Sequence, residues 1–261
     1  MNQTLDELLT PQHWNAFQWA IAALAAFLIG ASKAGFGGLG TVFVLLMASI
    51  MEARASTGFV LPLLLVGDVL AVFVFNQHAN WTYIRRLLPP TMLGVVTGYW
   101  LMSRMTTQGD DHMYKVVIGV IVLVLCVLQI VRMAREHWFE RFPDSRLFSV
   151  GMGGASGVST MLANNAGPIA SWYFLASGLP KMELVGTAAW FFLIVNLWKV
   201  PWSYDLGLIN TQSLRFGLYL IPAVPLGVFA GRWLLGRISQ RTFELLLLAF
   251  SLLAALRLIF S

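Results

Sequence analysis

Apolar runs close to the length of a bilayer crossing follow one another along almost the whole chain. The clearest covers residues 114–131 and includes VVIGVIVLVLCVLQIV. A helix needs about 20 mostly apolar residues to cross the hydrocarbon core, so the chain has room for roughly six to eight crossings. Charged residues make up 11% of the chain, against about 25% in soluble domains. The sequence therefore predicts an all-α integral membrane protein without a sizeable soluble domain.

The remaining composition narrows the class of protein further. The net charge of +5 comes from arginines in short loops, which the positive-inside rule explains better than nucleic-acid binding does. The lone Cys126 excludes an intramolecular disulfide. No HxxxH or His–Cys pair occurs among the histidines His13, His78, His112 and His137. Without a metal-ligand set or a nucleophile–base pair, we expect no metal site, no cofactor and no enzyme.

One polar, uncharged stretch interrupts the apolar pattern. Residues 151–168 read GMGGASGVSTMLANNAGP, with five glycines and a closing Pro168. Glycine costs roughly 1 kcal/mol in a helix interior relative to alanine, so the stretch predicts a broken helix. Broken backbone at membrane depth is tolerated where it is buried in protein or lines a wet cavity. The hydroxyl and amide side chains here indicate one half of a substrate site.

The second half of the chain repeats the first. Residues 93–104, LGVVTGYWLMSR, match residues 226–237, LGVFAGRWLLGR, at an offset of 133. The identical positions are Leu, Gly, Val, Gly, Trp, Leu and Arg. A Met-Glu pair recurs at an offset of 131, beginning at Met51 and at Met182. Such self-similarity at a nearly constant offset predicts two homologous halves.

These matches divide the chain into a first membrane repeat (residues 1–131), a basic cytoplasmic linker (132–146) and a second membrane repeat (147–261). Gly35 lies opposite Gly157 at the smaller offset of 122, so the second repeat is expected to carry an insertion after its glycine motif. Each repeat is expected to contain a glycine-rich broken helix or re-entrant hairpin and three transmembrane helices.

The relative orientation of the repeats depends on how the broken segments cross the membrane. If each is a hairpin that enters and leaves on one side, the repeats are inverted; if each makes one crossing, they are parallel. Lys and Arg in short loops favour the cytoplasm, and the arginine-rich linker marks that side in both arrangements. The inverted arrangement places more of the other loop Lys and Arg on the same side, so we favour inverted repeats.

Both glycine motifs offer hydrogen-bond donors and no carboxylate, which suits an anion. Transporters with inverted repeats often hold substrate at the midplane between broken helices, whose N-termini carry partial positive charge. The alternative is that the glycines only allow close helix packing. The candidate substrate-binding residues are Ser32, Lys33, Gly35, Gly37 and Gly38 in the first motif and Ser156, Ser159, Thr160, Asn164 and Asn165 in the second.

Three ionisable residues, Lys33, Asp68 and Lys199, lie within or near predicted spans. Such residues are costly in a bilayer and are functional candidates by default. Lys33 is expected to supply most of the positive charge, and Lys199 joins the substrate-binding set. Asp68 is the candidate for coupling or gating. Asp68 and Lys199 are related by the 131-residue offset, so we expect them to pair across the pseudo-twofold axis; a structural ion pair, or a Lys199 that reaches the interface, is the alternative.

The segments ASKAGFGG, GGASGVSTMLANNAGP and ELVGTAAWFFLIVNLWKVP follow one another in the duplicated chain. In this ordered set the chain resembles the sulfite exporter TauE/SafE family of bacterial membrane transporters. The resemblance implies export of sulfite, sulfoacetate or related organosulfonates from the cytoplasm, and a place in the inner (plasma) membrane. The first motif departs from the family in reading GFGGLG instead of an unbroken glycine triplet.

We therefore predict a secondary transporter that exports a small sulfur-containing oxyanion by alternating access. Each negative charge that leaves a cell gains about 2.3 kcal/mol per 100 mV, so export needs no coupling. The alternative is an anion channel in which the two glycine motifs form a fixed constriction. The expected partners are a small anionic substrate, the lipid bilayer and a second copy of the chain, without nucleic acid.

Overall fold

The computed structural model describes residues 14–33, 39–75, 79–105, 111–134 and 145–234, and residue 252. Every regular element in these ranges is a helix. The ten helices are α1 (Ala16–Lys33), α2 (Leu39–Ile50), α3 (Ala53–Phe75), α4 (Trp81–Met105), α5 (Asp111–Ala134), α6 (Arg146–Ala163), α7 (Gly167–Ala176), α8 (Lys181–Asp205), α9 (Thr211–Leu220) and α10 (Ala223–Leu234).

Three of the described helices are long and apolar enough to cross a membrane, namely α1, α3 and α8. Helices α9 and α10 make a fourth crossing if they count as one span, bent by 43° where they meet. This number is below the sequence expectation, partly because α4 carries three arginines and two prolines. The apolar run at residues 243–259 lies outside the described residues, apart from residue 252. The apolar helices nevertheless make the chain a multi-pass membrane protein.

The glycines of the 151–168 stretch do not break their helix, so this part of the prediction is wrong. All four glycines before Asn164 lie inside α6. The break comes at Asn164 itself, whose φ of 50° and ψ of 25° are left-handed, and α7 begins at Gly167. Packing explains the continuity, because a Cβ at Gly157 would lie 2.1 Å from the carbonyl oxygen of Thr91 in α4. Gly157 therefore serves close helix packing, as the alternative interpretation proposed.

Two helix pairs cross at distances that only glycine allows. Where α4 crosses α6, a Cβ at Gly94 would lie 2.3 Å from the Gly154 carbonyl oxygen. Where α1 crosses α10, a Cβ at Gly227 would lie 1.9 Å from the Phe27 carbonyl oxygen. These crossings hold α1 and α6, whose C-terminal ends carry candidate site residues, against the rest of the bundle.

Two helix boundaries do not follow the apolar runs of the sequence. Helix α4 begins at Trp81 and therefore includes the charged pair Arg85 and Arg86. The apolar residues 214–234 do not form one helix, because the chain turns at residues 221–222 between α9 and α10. A proline at 222 accounts for the turn, since proline donates no backbone hydrogen bond and crowds the preceding helical turn.

Helices α3 and α8 run antiparallel through the centre of the described bundle. At one end of the pair, the backbone N–H of Asn80, a residue that follows α3, donates to the Thr187 hydroxyl oxygen (2.8 Å). At the other end, Arg54 Nη2 donates to the Leu206 carbonyl oxygen (3.1 Å). The C-terminal ends of α1 and α6 approach the middle of this pair, and the buried polar groups collect there.

Candidate functional site

The first buried cluster joins three helices through the carboxylate of Asp68. Lys33 Nζ, at the end of α1, lies 2.6 Å from Asp68 Oδ1. Asn196 Nδ2, in α8, donates to Asp68 Oδ2 at 2.6 Å. Asp68 is fully buried, and the Lys33 side chain is 8% exposed. A charge buried to this extent requires pairing, and here both carboxylate oxygens are engaged.

The second buried cluster surrounds the ammonium group of Lys199, which is 1% exposed. Lys199 Nζ donates to Thr160 Oγ1 (3.2 Å) and to Asn164 Oδ1. The other end of the Asn164 side chain donates from Nδ2 to the carbonyl oxygen of Thr57 in α3 (2.7 Å). Neutral oxygens therefore surround Lys199, and no carboxylate within the described residues forms a salt bridge with it.

The expected direct pair between Asp68 and Lys199 is wrong. The carboxylate pairs with Lys33, which ends α1 at the level of Asp68 in α3. The offset of 131 relates two positions in sequence, but it does not determine which side chains their helices turn toward each other. By formal charge, the two lysines and one aspartate of these clusters leave one positive charge in excess when all three are ionised.

A cavity of about 50 Å³ adjoins both clusters. One water molecule needs roughly 10–15 Å³ of such volume, so the cavity can hold several waters or a small anion. Helices α1, α2, α3, α6, α7 and α8 contribute to its wall, and apolar side chains of α8 form one long face. Lys33 Nζ lies 5.1 Å from the ring centre of Phe192 in that face. The polar side chains of the wall are Ser32, Lys33, Thr160, Asn164, Ser171 and Asn196.

Two helices begin at the cavity. Gly40, in the first turn of α2, and Gly167, the first residue of α7, both line it. The first backbone N–H groups of a helix have no partner within the helix and carry partial positive charge. Asn165 lies between these two helix starts, since its Oδ1 would lie 3.3 Å from a Cβ at Gly40. Within the described part of the chain, the fully buried side-chain amide of Asn165 has no hydrogen-bond partner.

The structure brings together four of the candidate site residues at the cavity wall: Ser32, Lys33, Thr160 and Asn164. Asp68 and Lys199 lie behind this wall and contact it through Lys33, Asn196, Thr160 and Asn164. Ser156, Ser159 and Asn165 are buried but do not line the cavity; Ser159 Oγ donates to the Asn165 carbonyl oxygen at 2.9 Å and supports the helix break. Gly35, Gly37 and Gly38 lie outside the described residues.

Two polar contributors to the site were missed as candidates. Asn196 bonds Asp68 and lines the cavity, and Ser171 lines it from α7. A signal for Asn196 was present, because it is an amide three residues before Lys199 in an otherwise apolar helix. Ser171 carried no comparable signal, since single serines are common in apolar helices and hydrogen-bond to their own backbone.

The two ends of the α3–α8 pair differ in closure. Toward the N-terminal end of α8, Leu184, Ala188 and Phe192 line the cavity and remain partly exposed. Toward the opposite end, residues 55–61 of α3 are all buried. Leu208 packs there against Gly58, where a Cβ would lie 2.2 Å from the Leu208 carbonyl oxygen.

Two further contacts close that end of the bundle. Arg54 donates to the Leu206 carbonyl oxygen, and the Tyr99 hydroxyl donates to Asp205 Oδ2 (2.5 Å). We call these contacts, together with the packing of Leu208 on Gly58, the seal. The cavity therefore extends from the middle of the bundle toward one end, and the seal lies at the other.

Comparison with known protein families assigns the chain to a family of transporters. A search of curated proteins and a search of solved structures each found no match. The family model described as Sulfite exporter TauE/SafE matches residues 22–258, which is nearly the whole chain and includes both buried clusters and the cavity. A transporter family is also consistent with the expectation that the chain is not an enzyme. The chain therefore belongs to the sulfite exporter TauE/SafE family of membrane transporters.

Proposed function

We propose that the protein is a secondary transporter that exports small sulfur-containing oxyanions, namely sulfite, sulfoacetate or another organosulfonate, from the bacterial cytoplasm across the inner (plasma) membrane. The observation that carries the proposal is the placement of two buried lysines, Lys33 and Lys199, and a single carboxylate, Asp68, beside the cavity, a formal excess of one positive charge when all three are ionised. An unpaired buried charge costs several kcal/mol. Binding of an anion that neutralises this charge is therefore favoured. The family description indicates that the anion contains sulfur.

The substrate is held in the cavity near the bilayer midplane, between the two helix breaks. Thr160 is suited to donate to it, because its oxygen already accepts from Lys199 and its own hydrogen remains for a ligand. The backbone N–H of Gly167, the first residue of α7, supplies a further donor. Lys33 contributes charge at the wall while its Asp68 partner stays behind it. Ser156, Ser159, Asn165 and the glycines Gly35, Gly37 and Gly38 remain in the proposed site as parts of its two breaks.

The proposed architecture is two inverted repeats: the glycine crossings support the duplication, and the antiparallel run of the equivalent helices α3 and α8 supports the inversion. A Cβ at Gly30 would lie 2.0 Å from the Val224 carbonyl oxygen, and one at Gly157 would lie 2.1 Å from the Thr91 carbonyl oxygen. Val224 follows Thr91 by 133 residues, the offset of the sequence match. The two crossings are thus equivalent contacts between the halves. They pair Gly157 with Gly30, at an offset of 127, and not with Gly35 as the sequence alignment did.

The same equivalence relates the two buried clusters. Applying the 127-residue offset to Lys33 gives Thr160, and applying the 131-residue offset to Asp68 gives Lys199. The Lys33–Asp68 contact in the first half therefore corresponds to the Thr160–Lys199 contact in the second. In each half a lysine joins two helices: the end of α1 to α3 in the first half, and the end of α6 to α8 in the second. Among the described residues, the carboxylate partner occurs in the first half only.

The seal favours alternating access over a channel. Leu184, Ala188 and Phe192 line the open part of the cavity, and subtracting 131 gives Ala53, Thr57 and Leu61, which are buried at the seal. If the two inverted halves exchanged their conformations, the seal would open and the open part of the cavity would close. A channel would instead need a continuous path past both sets of residues.

Flux through proteoliposomes tests the proposal and separates it from the channel alternative. We expect saturable uptake of sulfite and of an organosulfonate, and counterflow of labelled substrate against an excess of unlabelled substrate inside the vesicles. A pore would give flux that does not saturate and no counterflow. If none of sulfite, sulfoacetate, taurine, sulfate and thiosulfate moves, the proposed substrate class is wrong. In the same assay, Asp68→Asn with an unchanged rate and pH dependence would exclude Asp68 from coupling or gating.

A further inference from the structure

We infer that Asp68 sets the charge of the anion that the cavity accepts, so that the site selects monoanions over dianions of the same shape. The inference rests on the proposed function, because it concerns how that same site distinguishes between its substrates. It assigns Asp68 a role in specificity, through Lys33, that requires no contact between its carboxylate and the substrate.

The charges near the cavity form a small, closed set within the described residues. Lys33 is the charged side chain of the wall. Behind the wall lie Asp68, which is 0% exposed, and Lys199, which is 1% exposed. Asp68 pairs with Lys33, while Lys199 donates to the oxygens of Thr160 and Asn164. With all three groups ionised, one negative charge from a substrate balances this set, and a second would be in excess.

The rest of the described wall provides little to stabilise a second negative charge. An apolar face of the wall includes Leu64, Val185 and Phe192, and the Phe192 ring lies beside Lys33. A charge placed against such a surface loses its hydration without gaining a partner, which costs several kcal/mol. A sulfonate head at the polar end with an uncharged tail along this face avoids the cost. The monoanion hydrogensulfite is favoured over the sulfite dianion on the same grounds.

The test compares two ligands that differ in one charge and almost nothing else. Sulfoacetate is a dianion, and its carboxamide, 2-sulfoacetamide, is a monoanion with the same arrangement of non-hydrogen atoms. Isothermal titration calorimetry at neutral pH, on the full-length protein in lipid nanodiscs, gives the dissociation constant of each. We expect 2-sulfoacetamide to bind at least about tenfold more tightly than sulfoacetate, given the weak screening of buried charge.

Two variants then change the charge balance. Asp68→Asn adds one positive charge to the set, so the preference for the monoanion should fall by about tenfold or reverse. The double variant Lys33→Met with Asp68→Asn restores the original balance, with Lys199 alone, and should restore the native preference. This return separates a charge effect from damage to the site, since the double variant alters more of the native contacts than the single one does.

The outcomes distinguish this inference from the proposed function. If the native protein binds both ligands equally, or binds the dianion more tightly, the inference is overturned while the proposed function stands. An unchanged preference in a folded Asp68→Asn variant also overturns it. If the folded native protein binds neither these ligands nor sulfite, the proposed function fails and the inference fails with it. Should Asp68→Asn not fold, the comparison of the two ligands on the native protein still decides.

Discussion

At the scale of single residues, Lys199 carries the charge that the fold leaves unbalanced. The sequence suggested that Lys33 would supply most of the positive charge, but Asp68 and Lys33 neutralise each other at 2.6 Å. Lys199 has no carboxylate partner within the described residues and donates to two neutral oxygens of the α6 end. An anion in the cavity is therefore stabilised more by the charge of Lys199 than by the charge of Lys33.

Replacement of Lys199 should accordingly weaken anion binding strongly. We expect Lys199→Met, which keeps the length of the side chain and removes its charge, to raise the dissociation constant for an organosulfonate at least about tenfold, or about 1.4 kcal/mol. Calorimetry on the protein in nanodiscs measures it. The charge-balanced double variant Lys33→Met with Asp68→Asn is the matched control and should lose less affinity. Equal losses of affinity in Lys199→Met and in the double variant would contradict the larger contribution assigned to Lys199.

The ionisable residues of the site could be predicted from the sequence, whereas their partners could not. Lys33, Asp68 and Lys199 stand out because charges are rare in apolar segments. Which of them touch depends on how each helix is rotated about its axis, and sequence offsets carry no such information. Asn165 shows the same limit: its type and position suggested a ligand, but its buried amide lies beside the cavity wall and not in it.

At the scale of helices, the glycines of α6 act through packing and not through flexibility. Gly157 meets the α4 backbone, while Gly154, one turn earlier, has no atom within 4 Å of a Cβ placed on it. The cost of glycine in a helix correctly suggested a special role for the stretch. It did not reveal the crossing with α4, because a close approach between helices distant in sequence is a tertiary contact.

These two glycines form a matched pair for a stability experiment. We expect Gly157→Ala to destabilise the protein by about 1–3 kcal/mol, because its methyl group would overlap the Thr91 carbonyl oxygen. Gly154→Ala has free space and should leave stability unchanged or raise it by up to about 1 kcal/mol. Thermal unfolding of the purified variants in one detergent compares them. Similar melting temperatures for both would argue against the close crossing.

At the scale of the whole molecule, the closure of one end and the opening of the other are the main features that the sequence did not predict. Apolar runs indicated the class of protein, and the polar stretch 151–168 indicated the broken helix in the second half. Such sequence features are the same in every conformation of the protein. The position of the seal depends on contacts between side chains and backbone carbonyls, such as that of Arg54 with Leu206.

Accessibility to a water-soluble maleimide should reveal this asymmetry. In a Cys126→Ala background, we expect Phe192→Cys to react readily because Phe192 lines the cavity, and Leu61→Cys to be protected because Leu61 is fully buried. The two positions are 131 residues apart and are equivalent in the proposed repeats. Reaction of Leu61→Cys during turnover with substrate would support alternating access. Equal labelling of both positions at rest would contradict the described closure.

The left-handed residue Asn164 joins the charge site to the closed end of the bundle through one side chain. Its Oδ1 accepts from Lys199, and its Nδ2 donates to the Thr57 carbonyl oxygen in the buried segment of α3. An amide is rigid and planar, so its two ends move together. Any displacement of the α6–α7 joint that withdraws Nδ2 from Thr57 also shifts Oδ1 relative to Lys199. The Asn164 side chain therefore links the position of the Lys199 ammonium group to the packing of α3 at the seal.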